Sequence, residues 1–376
     1  MTCTHGLGLY LHFPWCVRKC PYCDFNSHPL RSTLEEDAYV RALERDLEDA
    51  LTDVAPGSIA TVFCGGGTPS LFSPGAFERL LERLSPWLAA GAEVTMEANP
   101  GTVERHDFAG YRRAGINRVS LGAQSFDGLM LARLGRIHGA EDTERAFRQA
   151  RRAGFGNLNI DLMYGLPEQT AEQSLADLQR ALALEPEHVS WYQLTIEPRT
   201  EFARRPPLLA SDDEVADMER QGHALLETAG YRRYEVSAFA LPGFQCRHNL
   251  NYWRFGDYVG AGAGAHGKSS FLRGGTLMVE RTRKPSQPRR YLANPLCTER
   301  VAVARDERVF EFLMNALRLV EGAGIEEFES RTDLPAQALE PQWQALVREG
   351  LVREDRLAAT ARGLRYLDSV LERFLT

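Results

Sequence analysis

Three cysteines stand within eight residues, Cys16, Cys20 and Cys23, spaced CxxxCxxC. Cysteines clustered this tightly in a chain with only seven of them point to a metal site rather than to a disulfide scaffold. Three thiolates in one loop can hold three irons of a [4Fe–4S] cubane, which ordinarily takes four cysteines, so one iron keeps an open position. The amino and carboxylate groups of S-adenosylmethionine can chelate that iron. An electron from the cluster then cleaves the sulfonium to a 5′-deoxyadenosyl radical. The loop by itself also admits zinc, with His12 or His28 as the fourth ligand. Cys64 ends an apolar run and reads as buried core. Cys3 and Cys297 have no motif around them.

A loop of this kind needs a rigid frame, and the sequence supplies one. Strand-like runs at Leu7–Phe13, Ile59–Cys64, Glu93–Glu97, Arg118–Leu121, Asn157–Leu162 and His188–Ile196 alternate with helical patterns. The helical patterns cover Glu35–Leu51, Pro74–Ala89, Glu104–Ala114, Glu141–Ala153 and Ala171–Leu184. Ser73 before Pro74, and Thr170 with Gln173 three residues on, are helix start signals. Six β/α units predict a parallel sheet with right-handed crossovers. They are too few to close an eight-stranded barrel, so the expected fold is α/β, a partial (β/α)6 barrel over residues 1–240. Chemistry in such sheets sits at the C-terminal ends of the strands. Those ends carry Cys16, Gly65-Gly66-Gly67-Thr68, Ala98-Asn99-Pro100, Gly122-Ala123-Gln124 and Met163-Tyr164-Gly165. Next come a helix over Ser211–Gly230 and a strand over Tyr234–Phe239. A Gly/aromatic segment and linker follow over 241–304, with basic Arg281–Arg290 read as a loop. From about 305 to 376, helices followed by a hairpin predict a small winged-helix-like domain.

The order of motifs resembles a known family. CxxxCxxC after the first strand, Tyr22 before the third cysteine and GGGTP after the second strand form the radical-SAM pattern. YLHFPWC at 10–16, EANP at 97–100, LGAQSF at 121–126, DLMYGLP at 161–167 and HNLNYW at 248–253 are similar to the oxygen-independent coproporphyrinogen III oxidase group. They are most similar to its haem-chaperone branch. The resemblance implies that Gly66, Gly67 and Thr68 meet the methionyl end of S-adenosylmethionine. It implies that Glu97 holds the ribose hydroxyls and Arg136 the cofactor carboxylate, with Arg133 the competing candidate. Tyr10 would pack over the cofactor and Tyr22 stack on adenine. Gln124 and Asp161 match positions that contact a second cofactor molecule in the oxidases, and Thr195 lies near them. The HNxxYW motif implies haem, with His248 the first candidate ligand, ahead of Cys246 and His266.

Two departures separate the chain from the oxidases. Phe25 stands where they carry a fourth cysteine, and Tyr10 sits almost at the start of the chain, so the long extension they carry before the first strand is expected to be absent. The expectation is therefore a haem chaperone on a radical-SAM scaffold, with haem, the cluster and S-adenosylmethionine as its cofactors. It would pass haem to acceptor proteins, membrane-associated haemoproteins among them, with a homodimer as a further expectation. The alternative is an oxidase-like enzyme on a porphyrinogen. The net charge of −7, and 14 acidic against 10 basic residues over 305–376, argue against nucleic acid as a partner. No signal peptide or membrane span is legible, so the expected location is cytoplasmic.

Overall fold

The computed structural model describes residues 6–102 and 106–375. Cys3, and Glu104 at the start of an expected helix, lie outside the described residues. Six strands run parallel and neighbour one another in chain order: β1 (Leu7–Phe13), β2 (Ile59–Gly66), β3 (Leu88–Ala98), β4 (Arg118–Gln124), β5 (Leu158–Tyr164) and β6 (His188–Gln193). Two short strands, β7 (Arg232–Glu235) and β8 (Ala238–Ala240), add an antiparallel flap beyond β6. On the other side, β9 (Tyr258–Ala261) pairs parallel with β1. It is followed by the antiparallel strands β10 (His266–Arg273), β11 (Thr276–Arg283) and β12 (Glu299–Ala302). The sheet order is β12-β11-β10-β9-β1-β2-β3-β4-β5-β6-β8-β7.

Side-chain alternation explains the sheet's two faces. Leu9, Leu11, Val62, Cys64, Val94, Met96, Val119, Leu121, Leu158, Ile160, Val189 and Trp191 bury one face in the core shared with the outer helices. The residues between them are Tyr10, His12, Thr61, Thr95, Glu97, Arg118, Ser120, Asn159, Asp161, His188 and Ser190. The concave face is therefore polar, and its polar groups must find partners inside the barrel.

The outer helices start where their caps predict. Ser73 accepts the Ala76 N–H ahead of Pro74–Leu84, and Thr170 with Gln173 forms a capping box on Ala171–Leu182. The helix expected to reach Ala89 stops at Leu84, because Pro86 cannot continue it, and Ala89 falls in β3. The strand expected over Tyr234–Phe239 is instead the hairpin β7–β8. The segment Arg281–Arg290 is not a free loop. Its first residues belong to β11, and Lys284 is buried against Asp46 at 2.5 Å. Asp46 also accepts from Gly262 N–H (3.0 Å) and the Tyr291 hydroxyl (2.8 Å). This buried pair fastens the first outer helix, Glu36–Ala50, to the end of β9.

A second core gathers Phe312, Phe328, Trp343, Leu346, Leu357 and Val370, joined by Phe255 from the turn before β9 and Val279 from β11. Its helices are Arg308–Ala316, Ile325–Thr332 and Gln342–Arg348, with a turn bridged at Val352–Ala359 before the final helices. This is the expected winged-helix-like arrangement. It docks on the free edge of β7, where Val236 N–H donates to Arg318 O (3.0 Å) and Val320 N–H to Tyr234 O (3.1 Å). Among the described residues no helix is long and apolar enough to cross a membrane.

Removing one member of a buried ion pair strands the other. Asp46→Ala should cost about 3–5 kcal/mol in denaturant unfolding. The double variant Asp46→Ala/Lys284→Met should recover most of that loss.

Candidate functional site

The loop after β1 is pinned before it reaches its cysteines. Residues 15–16 pair with 28–29 in a two-strand ladder, which closes the loop at its base. Asn26 donates to Ala263 O (2.9 Å) and Ser286 O (3.0 Å), and its own carbonyl meets His12 Nε2 at 2.8 Å. Lys19 Nζ donates to Phe25 O at 2.9 Å. The thiols of Cys16, Cys20 and Cys23 then face one cavity of about 680 Å³. Phe25 stands at its mouth with 62% of its surface exposed. Burial pushes the Cys16 thiol up to about 11 and raises Cys23 as well, with Ser27 hydrogen bonding opposing both shifts.

The β2 loop packs directly against the cysteine loop. Gly67 N–H donates to Phe13 O at 2.7 Å. A Cβ at Gly67 would lie 2.5 Å from the Trp15 carbonyl oxygen. Gly66 has φ +117°, and a Cβ there would lie 2.5 Å from the His12 ring. Only glycine fits this close approach. Gly66 N–H donates to Glu97 Oε2 at 3.1 Å. Glu97 is pushed up to about 8, first by burial and then by the neighbouring Asp161 charge. Asp161 is also raised by burial, opposed by its hydrogen bonds. It accepts from Ser120 (2.9 Å) and Asn159 (2.8 Å), which is how an inward carboxylate is tolerated here.

Arg136 and Arg133 point different ways. Arg136 Nη2 donates to Gly122 O (2.6 Å) and Nη1 approaches Cys20 Sγ (3.7 Å), while its buried Nε has no partner among the described residues. Arg133 donates to Pro167 O and pairs with Glu168, away from the cavity. Gln124 closes β4 with φ +71° beside a register shift, and accepts the Tyr192 hydroxyl at 2.7 Å. Positive φ at a non-glycine residue beside a bulge is a feature enriched at functional sites. Tyr22 lines the cavity and leans on Phe202. Thr68 and Thr195 also line it.

Two expected residues do not reach the wall. Tyr10 lies inside the barrel, bonded to His12 Nδ1 (3.0 Å) and stacked on Phe63, rather than facing the cavity. His248 is 0% exposed. Its Nδ1 meets the Thr61 hydroxyl and its Nε2 the Tyr252 hydroxyl, each at 2.8 Å. Burial, and then Arg118, lower its pKa to about 3, so the ring is neutral. Both nitrogens are occupied, and an axial bond to haem iron would require this arrangement to open. Cys246 is buried against Glu93, at 3.6 Å. His266 is exposed at the start of β10 and does not line the cavity. Cys64 is core, as expected, and Cys297 is exposed.

The HNxxYW segment is the helix Arg247–Trp253, and its two faces differ. His248 and Tyr252 face the barrel interior, whereas Asn249 and Trp253 line the cavity. Asn99, expected at a strand end, does line the cavity, whereas Ser190 and Tyr192 on the same wall were passed over. The last two were legible as the inward half of β6. Arg318 reaches the same cavity from the second core, and no local pattern signals it.

The donor set fits the inferred group better than it fits zinc. Among the described residues no three His, Cys, Asp or Glu side chains are grouped as a single ion requires. Both His12 nitrogens are engaged, and His28 bonds to Asn26 and Ser286. Three cavity-facing thiols, a glycine cradle closed to any Cβ and the orphan Arg136 Nε suit a cluster with a zwitterionic ligand beside it.

Comparison with known proteins shows the family of this chain. The Radical SAM superfamily model matches residues 10–180, and the HemN C-terminal domain model matches 303–366. The chain is 49% identical over 373 residues to heme chaperone HemW of Escherichia coli (strain K12), covering 98% of each. It is 46% identical to heme chaperone HemW of Haemophilus influenzae, again covering 98% of each. Among solved structures, the radical SAM enzyme coproporphyrinogen III oxidase (HemN) from Escherichia coli superposes with a TM-score of 0.81 at 25% identity. That match covers 98% of this chain and 90% of that one.

His248→Ala leaves two buried hydroxyls without partners. It should lower stability by about 2–4 kcal/mol in denaturant unfolding.

Proposed function

We propose, from the premise that this chain belongs to the HemW haem-chaperone family of radical-SAM proteins, that it binds haem at the cavity and delivers it to acceptor haemoproteins. One observation carries the reading. A single cavity collects Cys16, Cys20, Cys23, Gly66, Gly67, Thr68, Glu97 and Arg136. Its mouth presents the apolar Phe25 at the position of the oxidases' fourth cysteine. Cys16, Cys20 and Cys23 would hold three irons of a [4Fe–4S] cluster. When bound, the cluster and S-adenosylmethionine supply one-electron chemistry that cleaves the sulfonium.

The chain's own residues do the positioning. Gly66, Gly67 and Thr68 receive the methionyl end. Arg136 offers its unpartnered Nε–H and its guanidinium plane to the ligand carboxylate. Glu97, poised between charge states by burial, accepts the ribose hydroxyls. Tyr22 offers a ring to adenine. Gln124 and Asp161 lie deeper on the same wall, where a second ligand molecule would sit. Acceptors, membrane-associated haemoproteins among them, would dock near the Phe25 mouth. A cytoplasmic location and a homodimer belong to the same proposal.

The structural match to coproporphyrinogen III oxidase supports a second reading, radical decarboxylation of a porphyrinogen. Anaerobic reconstitution with iron and sulfide separates the two. Incubation with coproporphyrinogen III, reductant and S-adenosylmethionine should give no protoporphyrinogen, while haem should bind one to one and move to an apo-haemoprotein. Protoporphyrinogen formation would overturn the chaperone reading.

The arginine assignment has its own check. Arg136→Met should weaken S-adenosylmethionine binding by at least about tenfold in calorimetry, the loss expected for a charge-assisted pair. Arg133→Met should leave it within about twofold.

A further inference from the structure

Asn249 and Trp253 are four residues apart on a seven-residue helix and share its cavity face. Around them the wall changes character. Arg318 lies over the Trp253 ring, with its guanidinium carbon 4.4 Å from the centroid. Backbone hydrogen bonds on either side, Val236 N–H to Arg318 O and Val320 N–H to Tyr234 O, fix it to the β7 edge. Its Nη2 donates to Glu235 Oε2 at 3.2 Å. Burial pushes the Glu235 carboxyl up, with Arg318 opposing that shift. Asn249 and Ser237 line the same cavity, and among the described residues neither side chain has a hydrogen-bond partner.

We infer that Arg318, Asn249 and Ser237, set against the Trp253 ring, form a carboxylate-binding subsite that takes a propionate of the bound tetrapyrrole. The inference rests on the haem reading above. A guanidinium, a carboxamide N–H₂ and a hydroxyl can all donate, and a carboxylate accepts from several donors at once. The indole supplies a flat apolar wall for the edge of the macrocycle. The arrangement also gives the C-terminal region a part in ligand recognition. Its arginine would complete a site whose other members come from the sheet flap and the HNxxYW helix. It assigns Asn249 and Trp253 to recognition, and His248 and Tyr252 to anchoring the helix that presents them.

The test uses the full-length, cluster-reconstituted protein, titrated with haem and with haem dimethyl ester, in which both propionates are masked. The wild-type protein should bind haem at least about tenfold more tightly than the diester, the scale of one charge-assisted contact. Arg318→Gln should lose most of that preference by weakening haem while leaving the diester nearly unchanged. Asn249→Ala, at a half-buried position with no partner to strand, should show a smaller loss of the same kind. It keeps the test open if Arg318→Gln fails to fold. Equal wild-type affinity for haem and diester, or variants that weaken both equally, would overturn the inference and leave the haem reading intact. If the wild-type protein binds neither porphyrin, both fall together.

Discussion

Glu93 accepts the backbone N–H groups of Arg247 and His248, at 3.2 and 3.1 Å, from inside the barrel. A seven-residue helix has little stability of its own, so contacts of this kind hold it in place. The Thr61–His248 and His248–Tyr252 hydrogen bonds extend the anchor. The Tyr10–Phe63–His248 stack packs beside it. The helix in turn faces Asn249 and Trp253 into the cavity. The same interior continues toward the cavity floor. Tyr234 hydroxyl accepts the Cys246 N–H and bonds to His188, which bonds to Asn159, which donates to Ser120 and Asp161. Arg118, 2% exposed, lies within this polar interior near the Glu93 and Asp161 carboxylates and disfavours protonation of His188 and His248. One connected set of partners thus holds both the ligand wall and the helix that completes it.

That arrangement follows from how a partial barrel is made. A parallel sheet with helices on one face buries alternate residues in an apolar core. With no second helical layer, the concave face either fills with side chains or takes a ligand. Here it does both. The half nearer the strand starts is filled by the polar network, and the half at the strand ends is left open. The cysteine loop, the glycine loop and Arg136 stand at the open end. The C-terminal region closes the side, because the β7 edge offers unpaired backbone groups that Arg318–Val320 satisfy.

Much of this was legible in the residues. The β/α alternation, the caps at Ser73 and Thr170, and the ligand-type residues at the strand ends all lie in local sequence, and the structure brings most of them to one cavity. What was not legible has physical reasons. The Tyr258–Ala261 strand reads as a glycine-rich loop because it lacks the apolar alternation that marks a strand. Val236 and Ser237 sit in a tight turn that a propensity reading runs straight through. The inward placement of His248 was not legible, because nothing in the string tells an inward helix face from an outward one. That distinction depends on Thr61 and Glu93, far away in sequence. Arg318 depends on how two cores dock, and no local pattern carries that information.

The central claim is that the cluster and haem share one cavity. It is tested most directly by electron paramagnetic resonance of the reduced, reconstituted protein with and without one equivalent of manganese-substituted haem, whose metal stays paramagnetic when the cluster is reduced. Shared occupancy predicts faster relaxation and broadening of the cluster signal when paramagnetic haem is present, in proportion to haem bound. A cluster signal whose relaxation is unchanged at full haem occupancy would place haem elsewhere on the protein and contradict the account.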